Sequence, residues 1–475
     1  MREVREFKSR HPDHSCSAAH QGNVLSAWFS IPYSRPTPDC KAFRILTFNC
    51  LLLIALPAAL TWQAASAEEL PGPRPIRVGL SHGIGKPHTL TITCDVPFVI
   101  TDVESKATVA EVGSGDRASL TTAQGTVEIS IEGAPARGFK GPMRVEAACG
   151  EGIIEVVSPK VRHKRYRGAL EIRAGSGLMV VNELDVEQYL YGVVPVEVPA
   201  GFHREAQKAL AVAARTYAVR SLGRHKSAGY DLCDGIHCQG YVGADRESDW
   251  SRKIVDDTRG QIVVYDGEPI YALYSSDCGG MTQNNEDAGM GKKAWPYLRS
   301  IVDNPGGRRS AVSGQQSAVS GEPPGLKADQ DPQYQDYCAG NRYHTWRKTY
   351  TPEELERVFS RFGSTRLEKF VSMEFAEYDS SGRVKTVVIK GEKGERRISG
   401  SRLRGILGLN VLRSTRIILT VSEDGNYVID GKGHGHGIGL CMHGANGLAK
   451  SREGITYVDI LKHYYTGTEV RDTAD

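Results

Sequence analysis

The sequence predicts an α+β protein, a β-rich N-terminal region followed by a mixed α/β core. Three observations predict it. Between Ile76 and about Val161, short alternating runs such as IRVGL, HTLTITC, FVITD, TVEISI, MRVEAAC and IIEVVS are broken by Gly and Pro, the period-two signature of strands. Glu205 to Arg220 is Ala-rich and apolar nearly all round, which describes a helix buried on every side. Strand-like and helix-like runs then alternate to about residue 470. At 475 residues, the chain has room for two or three domains.

The first 67 residues read as an extension and a targeting segment. Lys41 and Arg44 precede an apolar run, Ile45 to Trp62, and Ala65-Ser66-Ala67 follows. That order is a basic n-region, an h-region and a small-residue cleavage site, with cleavage expected after Ala67. An uncleaved Ile45–Trp62 segment would instead tether the protein to a membrane. The 40 residues ahead of it are unusual for a leader, so a true start nearer Val24 is expected. Residues 1–67 hold 7 basic and 4 acidic residues, and the whole chain has 59 and 56. The entire formal excess of +3 therefore lies in the leader. Nothing indicates the clustered basic face that nucleic-acid binding requires. Seven cysteines follow the leader, and outside the cytoplasm they can pair. Cys94 and Cys149 each end a strand-like run and form one candidate disulfide, and Cys278 with Cys338 another.

Residues 68–75 read as a linker and 76–161 as the β-rich region. A hairpin across AGSG is expected between Tyr166–Ile172 and Leu178–Val181. Leu184 to Arg220 then organises the rest. It holds one carboxylate, Glu197, between Pro195 and Pro199 in an apolar run. Two prolines restrict the backbone there and favour an extended loop. Apolar neighbours raise a carboxyl pKa, and a fixed, partly desolvated carboxylic acid suits general-acid chemistry. A solvated loop glutamate is the plain alternative. The helix behind it is expected from Phe202 or His203 to about Leu222, with Gly223 as its stop. Asp185 and Glu187 are expected at a helix start or on the surface.

Downstream, His225, Cys233, His237 and Cys238 offer two imidazoles and two thiols, a suitable set for tetrahedral zinc. A disulfide or a plain surface loop would use the same residues. DCGGMTQ (Asp277–Gln283) reads as a tight turn, and GKGHGHGIGLCMHGA near the C-terminus as a Gly/His-rich loop. A thiol nucleophile at Cys441 with His436 or His443 lacks a third, orienting residue. Residues 306–330 carry a tandem SAVSG repeat and read as a low-complexity insertion. Thr351 is the expected N-cap of a helix in PEELERVFSRFG.

Ten ordered blocks then resemble the SpoIID/LytB family, comprising stage II sporulation protein D and the amidase enhancer LytB. They include RGALEI (Arg167–Ile172), VNELDVEQYLYGVVPVEVP (Val181–Pro199), EAQKALAVAARTYAVR (Glu205–Arg220), HCQGYVG (His237–Gly243), IYALYSSDCGGMTQ (Ile270–Gln283) and GHGIGL (Gly435–Leu440). The resemblance spans roughly residues 76–470, with the catalytic core at 162–470. It implies an exported protein of the periplasm or cell wall that acts on peptidoglycan glycan strands, and an N-acetylmuramoyl-L-alanine amidase as partner. Sporulation members are lytic transglycosylases that cut MurNAc–GlcNAc bonds of peptide-free glycan and leave a 1,6-anhydro end. Other members are amidase enhancers without clear chemistry of their own. The family's essential glutamate matches Glu197. Arg215, Tyr274, Ser275, Ser276, Gly279, Gly280, Gly435, His436 and Gly437 are then expected to bind substrate, with Arg215 or Glu205 orienting Glu197 or the sugar, the alternative for Arg215 being that it only bridges buried backbone. No cofactor is required for the chemistry, and some members bind zinc in the stretch matching His225 to Cys238. The chain departs from the family in having Cys441-Met442-His443 where Ser-Gln-Tyr is usual, and His434 where an aromatic residue is common.

Overall fold

The computed structural model describes residues 74–132, 134–157, 161–307 and 335–473. The expected leader, its cleavage site and nearly all of the SAVSG repeat lie outside these residues. No described helix is long and apolar enough to cross a membrane.

The α+β expectation holds. Among the described residues, seven α-helices accompany strands in several sheets. They are α1 (Val186–Glu197), α2 (Arg204–Arg220), α3 (Asp249–Asp256), α4 (Pro352–Phe359), α5 (Gly400–Leu407), α6 (Met442–Ser451) and α7 (Tyr457–Tyr464).

The N-terminal strands form two sheets, of seven and six strands. The seven-stranded sheet ignores the boundary drawn from sequence near residue 161. Ile76–Gly79 lies between Met179–Leu184, antiparallel, and Leu232–Cys233, parallel. Ala169–Arg173 joins Met179–Leu184 on one side, as the AGSG hairpin requires, and Met143–Ala147 on the other. The β-rich region and the core are thus one packed body, because the first strand pairs with segments that follow it by a hundred residues or more. Cys94 is buried, Cys149 is exposed and neither is bonded, so the expected disulfide between them is absent.

Helix α2 is the hub. It packs against α1, α3, α6, α7 and the strand Gln261–Tyr265. Six of its seventeen residues are alanine, and small side chains let neighbouring backbones approach closely. Its N-cap is His203 and its last residue Arg220, slightly shorter than the pattern predicted. Around it, Tyr189, Leu190, Val193 and Val194 of α1 are fully buried, each contributing about 1.5–3 kcal/mol relative to exposure. After α7, Glu469–Asp472 pairs with Gln261–Tyr265 as a closing strand.

A second core stands apart from the first. Leu355, Phe359, Met373, Val387, Ile389, Leu403, Leu412, Ile417 and Ile429 cluster with one another and not with the main core. This lobe consists of α4, α5 and two three-stranded sheets between Thr345 and Lys432. Thr351 caps α4 with a reciprocal Glu354 bond, as its sequence predicts.

Candidate active site

Glu197 does not lie on an extended loop. It is the last residue of α1, and Pro195 sits inside that helix. The correction has a simple cause. Proline fixes a φ that a helix also uses, and in the last turn its missing N–H costs a single bond. Val198 closes the turn by donating to the Val194 carbonyl at 2.9 Å. Asp185 caps the start of α1 through the amide of Glu187.

The position sets the chemistry of the carboxyl. Glu197 is half-buried and burial pushes its pKa above the ordinary carboxylic value, opposed by a hydrogen bond from the Gly240 amide. That amide donates to Oε1 at 2.7 Å. The last turn of a helix also presents its negative dipole end, which disfavours an anion there. Among the described residues, no second carboxylate contributes to the shift.

Gln239, next to Gly240, joins the surrounding hydroxyls. Tyr189 Oη donates to Gln239 Oε1 at 3.1 Å, and Gln239 Nε2 donates to Tyr274 Oη at 3.1 Å and to the Ala214 carbonyl of α2 at 3.2 Å. Burial raises both tyrosines, and the Glu197 charge adds to each shift. Tyr189, Gln239 and Gly240 are the positions around Glu197 that residue-by-residue reading missed. The available signal was HCQGYVG, which the sequence offered as a block but without roles.

The expected substrate residues divide into two groups. Tyr274 and Ser275 pair in parallel with Leu440 and Cys441, so the two motif segments run side by side. Ser276 accepts from the His443 amide at 3.1 Å and lies 2.8 Å from His443 Nδ1 through the same carbonyl. His443 meets the Phe202 ring edge-on, bringing α6 to the segment that follows Glu197. His436 accepts from the Ile438 amide on Nδ1 at 3.0 Å. Burial, reinforced by Arg404, lowers its pKa to about 4, so the ring is neutral at pH 7. Gly435 has φ 110° and would bring a Cβ within 2.9 Å of Ser275, so only glycine allows this approach. By contrast, Gly279, Gly280 and Gly437 are buried. A Cβ on them would strike the Lys432 backbone, the Asp336 carboxylate and the Arg383 guanidinium respectively. Their space is taken by protein, not open to a ligand.

Arg215 is also corrected. It is fully buried and donates to both carboxylate oxygens of Glu187, at 2.8 and 2.6 Å, and to the Val255 and Gln261 carbonyls at 3.2 Å each. Glu187, expected at a helix start or surface, is the buried partner. Both are buried and bonded to each other, and the pair ties α1 to α2 and α3. Glu205 is likewise spent on Lys208 and the Tyr457 amide.

The four-residue His/Cys set does converge. The donor atoms of His225, Cys233, His237 and Cys238 all lie within 4.8 Å of one another. His225 Nε2 is 3.3 Å from Cys238 Sγ, and His237 Nδ1 is 3.8 Å from Cys233 Sγ and 3.6 Å from Cys238 Sγ. A zinc tetrahedron with usual bond lengths has S···N edges of about 3.5 Å, so the adjacent His237 and Cys238 fit one ion. Two residues beyond Cys238, Gly240 meets Glu197.

The acid at the end of a proline-bearing helix, the Ala-rich helix behind it and the paired motif segments define a class. The chain belongs to the SpoIID family. The stage II sporulation protein (SpoIID) model matches residues 174–265, and a domain of unknown function, DUF8618, matches 287–439, a span that contains the second lobe. Stage II sporulation protein D of Bacillus subtilis is 30% identical over 311 residues, 62% of this chain and 76% of that protein. The amidase enhancer of Bacillus subtilis is 29% identical over 305 residues, 59% of this chain but only 40% of the enhancer. An uncharacterized protein of Brachyspira hyodysenteriae is 28% identical over 310 residues, 65% of this chain and 72% of its own length.

Proposed function

We propose that this protein is an exported lytic transglycosylase acting on the MurNAc–GlcNAc bonds of peptide-free peptidoglycan, in cell-wall remodelling or sporulation. One observation carries the reading: Glu197 is a half-buried acid with its pKa raised by burial, and among the described residues no second carboxylate adds to that shift. A hydrolase of this type requires two carboxyl groups across the scissile bond. A transglycosylase requires one, because the nucleophile is already part of the sugar.

In the proposed step, Glu197 gives its proton to the glycosidic oxygen as the C1–O bond breaks. Its carboxylate then takes the proton of the MurNAc 6-hydroxyl while that oxygen bonds to C1. The products are a free GlcNAc 4-hydroxyl and a 1,6-anhydro end, with no water consumed. The Gly240 amide holds the carboxyl through both transfers. Tyr274, Ser276, His436 and His443 are the residues of the paired motif segments that would meet sugar hydroxyls. His225, Cys233, His237 and Cys238 would hold a structural zinc that fixes the Gly240 segment and takes no part in the chemistry.

The test is digestion of amidase-treated peptidoglycan by the wild type and Glu197→Gln, read by mass spectrometry. Anhydro-muropeptides are expected with the wild type and absent with the variant. Their absence from the wild-type digest would remove the enzyme reading. The second reading, favoured by the relative named amidase enhancer, is a glycan-binding activator of an amidase. It predicts faster amidase turnover with both forms.

A further inference from the structure

A second convergence of ligand-type side chains lies apart from Glu197 and from the His225 set. Cys278, Asp303, Cys338 and Cys441 place their sulfurs and carboxylate within 4.8 Å of one another, and all four are completely buried. They come from distant parts of the chain: the DCGG turn, the segment before the SAVSG repeat, the segment after it and the N-cap of α6.

The local bonding is that of a ligand shell. Cys441 Sγ accepts two backbone amides, from Cys278 at 3.1 Å and Gly444 at 3.3 Å, which aim the sulfur at the centre of the cluster. Asp303 is oriented by Tyr464 Oη at 2.7 Å and the Cys338 amide at 3.0 Å, as outer partners orient a ligating carboxylate. A Cβ at Gly444 would lie 2.2 Å from Asp303 Oδ1 and 3.0 Å from Cys441 Sγ, so α6 presses bare backbone against the cluster. Cys278 and Cys338 stand 3.8 Å apart, sulfur to sulfur. That is the S···S edge of a tetrahedron with bonds of about 2.3 Å. A disulfide would join only two of the four groups and needs sulfurs about 2.05 Å apart, much closer than these stand.

We propose that Cys278, Cys338, Cys441 and Asp303 form a second, structural zinc site. Binding replaces three thiol protons, released to solvent, with three Zn–S bonds, and adds one Zn–O bond. Three thiolates, a carboxylate and Zn²⁺ carry a net charge of −2. Two buried arginines adjoin it: Arg383 donates to the Cys278 carbonyl at 2.6 Å, and Arg416 donates to the Gly279 carbonyl. The ion would staple the root of the second lobe, through Cys338, to α6 and to the strand pair that carries Ser275 and Cys441.

The experiment uses the full chain purified without reductant or chelator. Cys233→Ser with Cys238→Ser dismantles the His225 set, and this variant is expected to retain about one zinc per chain. Cobalt in its place is expected to give thiolate charge-transfer and tetrahedral d–d bands. Adding Cys441→Ser is expected to weaken zinc binding at least about tenfold. Where that variant does not fold, the cobalt spectrum of the first decides. Wild-type protein digested without reduction supplies a readout that needs no variant. Zinc lost entirely with Cys233→Ser and Cys238→Ser, or a peptide linked through Cys278 and Cys338, would overturn the proposal.

Discussion

The Gly240 amide reaches Glu197 Oε1 at 2.7 Å, linking the end of α1 to the segment that leaves the His225–Cys238 set. Gly240 has no room to spare, because a Cβ would stand 3.0 Å from both Glu197 Oε1 and Val196 Cγ1. Gly240→Ala therefore displaces the acid while leaving the core intact. We expect kcat on denuded glycan to fall about 10²-fold, the effect of an ångström-scale misplacement, with a change in Tm of only a few degrees. Unchanged kcat would show that this amide does not position the carboxyl.

Glu197→Gln tests the cost of holding the acid. Its native pKa is raised, so the native state disfavours the anion. The stability linked to this group is greatest below the unfolded carboxyl value of about 4.3 and is lost as pH rises through the native value. Glutamine stays neutral and can still accept from Gly240. We expect Glu197→Gln to be more stable than wild type at pH 7, by roughly 0.5–1 kcal/mol. The gap should close near pH 4 in thermal melts. Wild-type activity should fall as pH rises through the same native value.

Breaking the Glu187–Arg215 pair should act on stability. Arg215 is fully buried and bidentate to Glu187. Arg215→Met alone strands a buried carboxylate and should cost about 3–5 kcal/mol. Adding Glu187→Leu should recover much of the loss. Denaturant unfolding of the single and double variants checks this. A neutral Arg215→Met, coupled with lost substrate affinity, would restore Arg215 to the substrate site.

His344 gives the opposite pH dependence from a buried carboxyl partner. Burial pushes its pKa down, but Asp277 at 3.2 Å and Asp336 at 3.4 Å outweigh this and raise it to about 9. Its contribution is therefore full below the unfolded value of about 6.5 and is lost as pH rises through about 9. His344→Gln should destabilise the protein by roughly 3 kcal/mol at pH 6 and by much less above pH 9. Equal losses at both pH values would show that His344 is neutral in the fold.

Local pattern alone was enough for the helix α2, the AGSG hairpin, the Thr351 cap and the family blocks around Glu197. Each is written in neighbouring residues, as a period, a cap or a contiguous motif. The helical state of Glu197 was not, because two prolines weigh against a helix locally and only the packing of Val193 and Val194 decides otherwise. The second lobe alternates as the main core does, so only the closure of its own contacts separates it. Glu187 and Arg215 are 28 positions apart, and either alone reads as a surface charge. Cys278, Asp303, Cys338 and Cys441 span more than 160 positions, each without a local signature. Sequence by itself determined the elements whose energetics are local and singled out the carboxyl on which the proposed function rests. Tertiary structure decided which distant polar groups share a desolvated space, because the cost of burying a charge depends on what lies beside it in the fold.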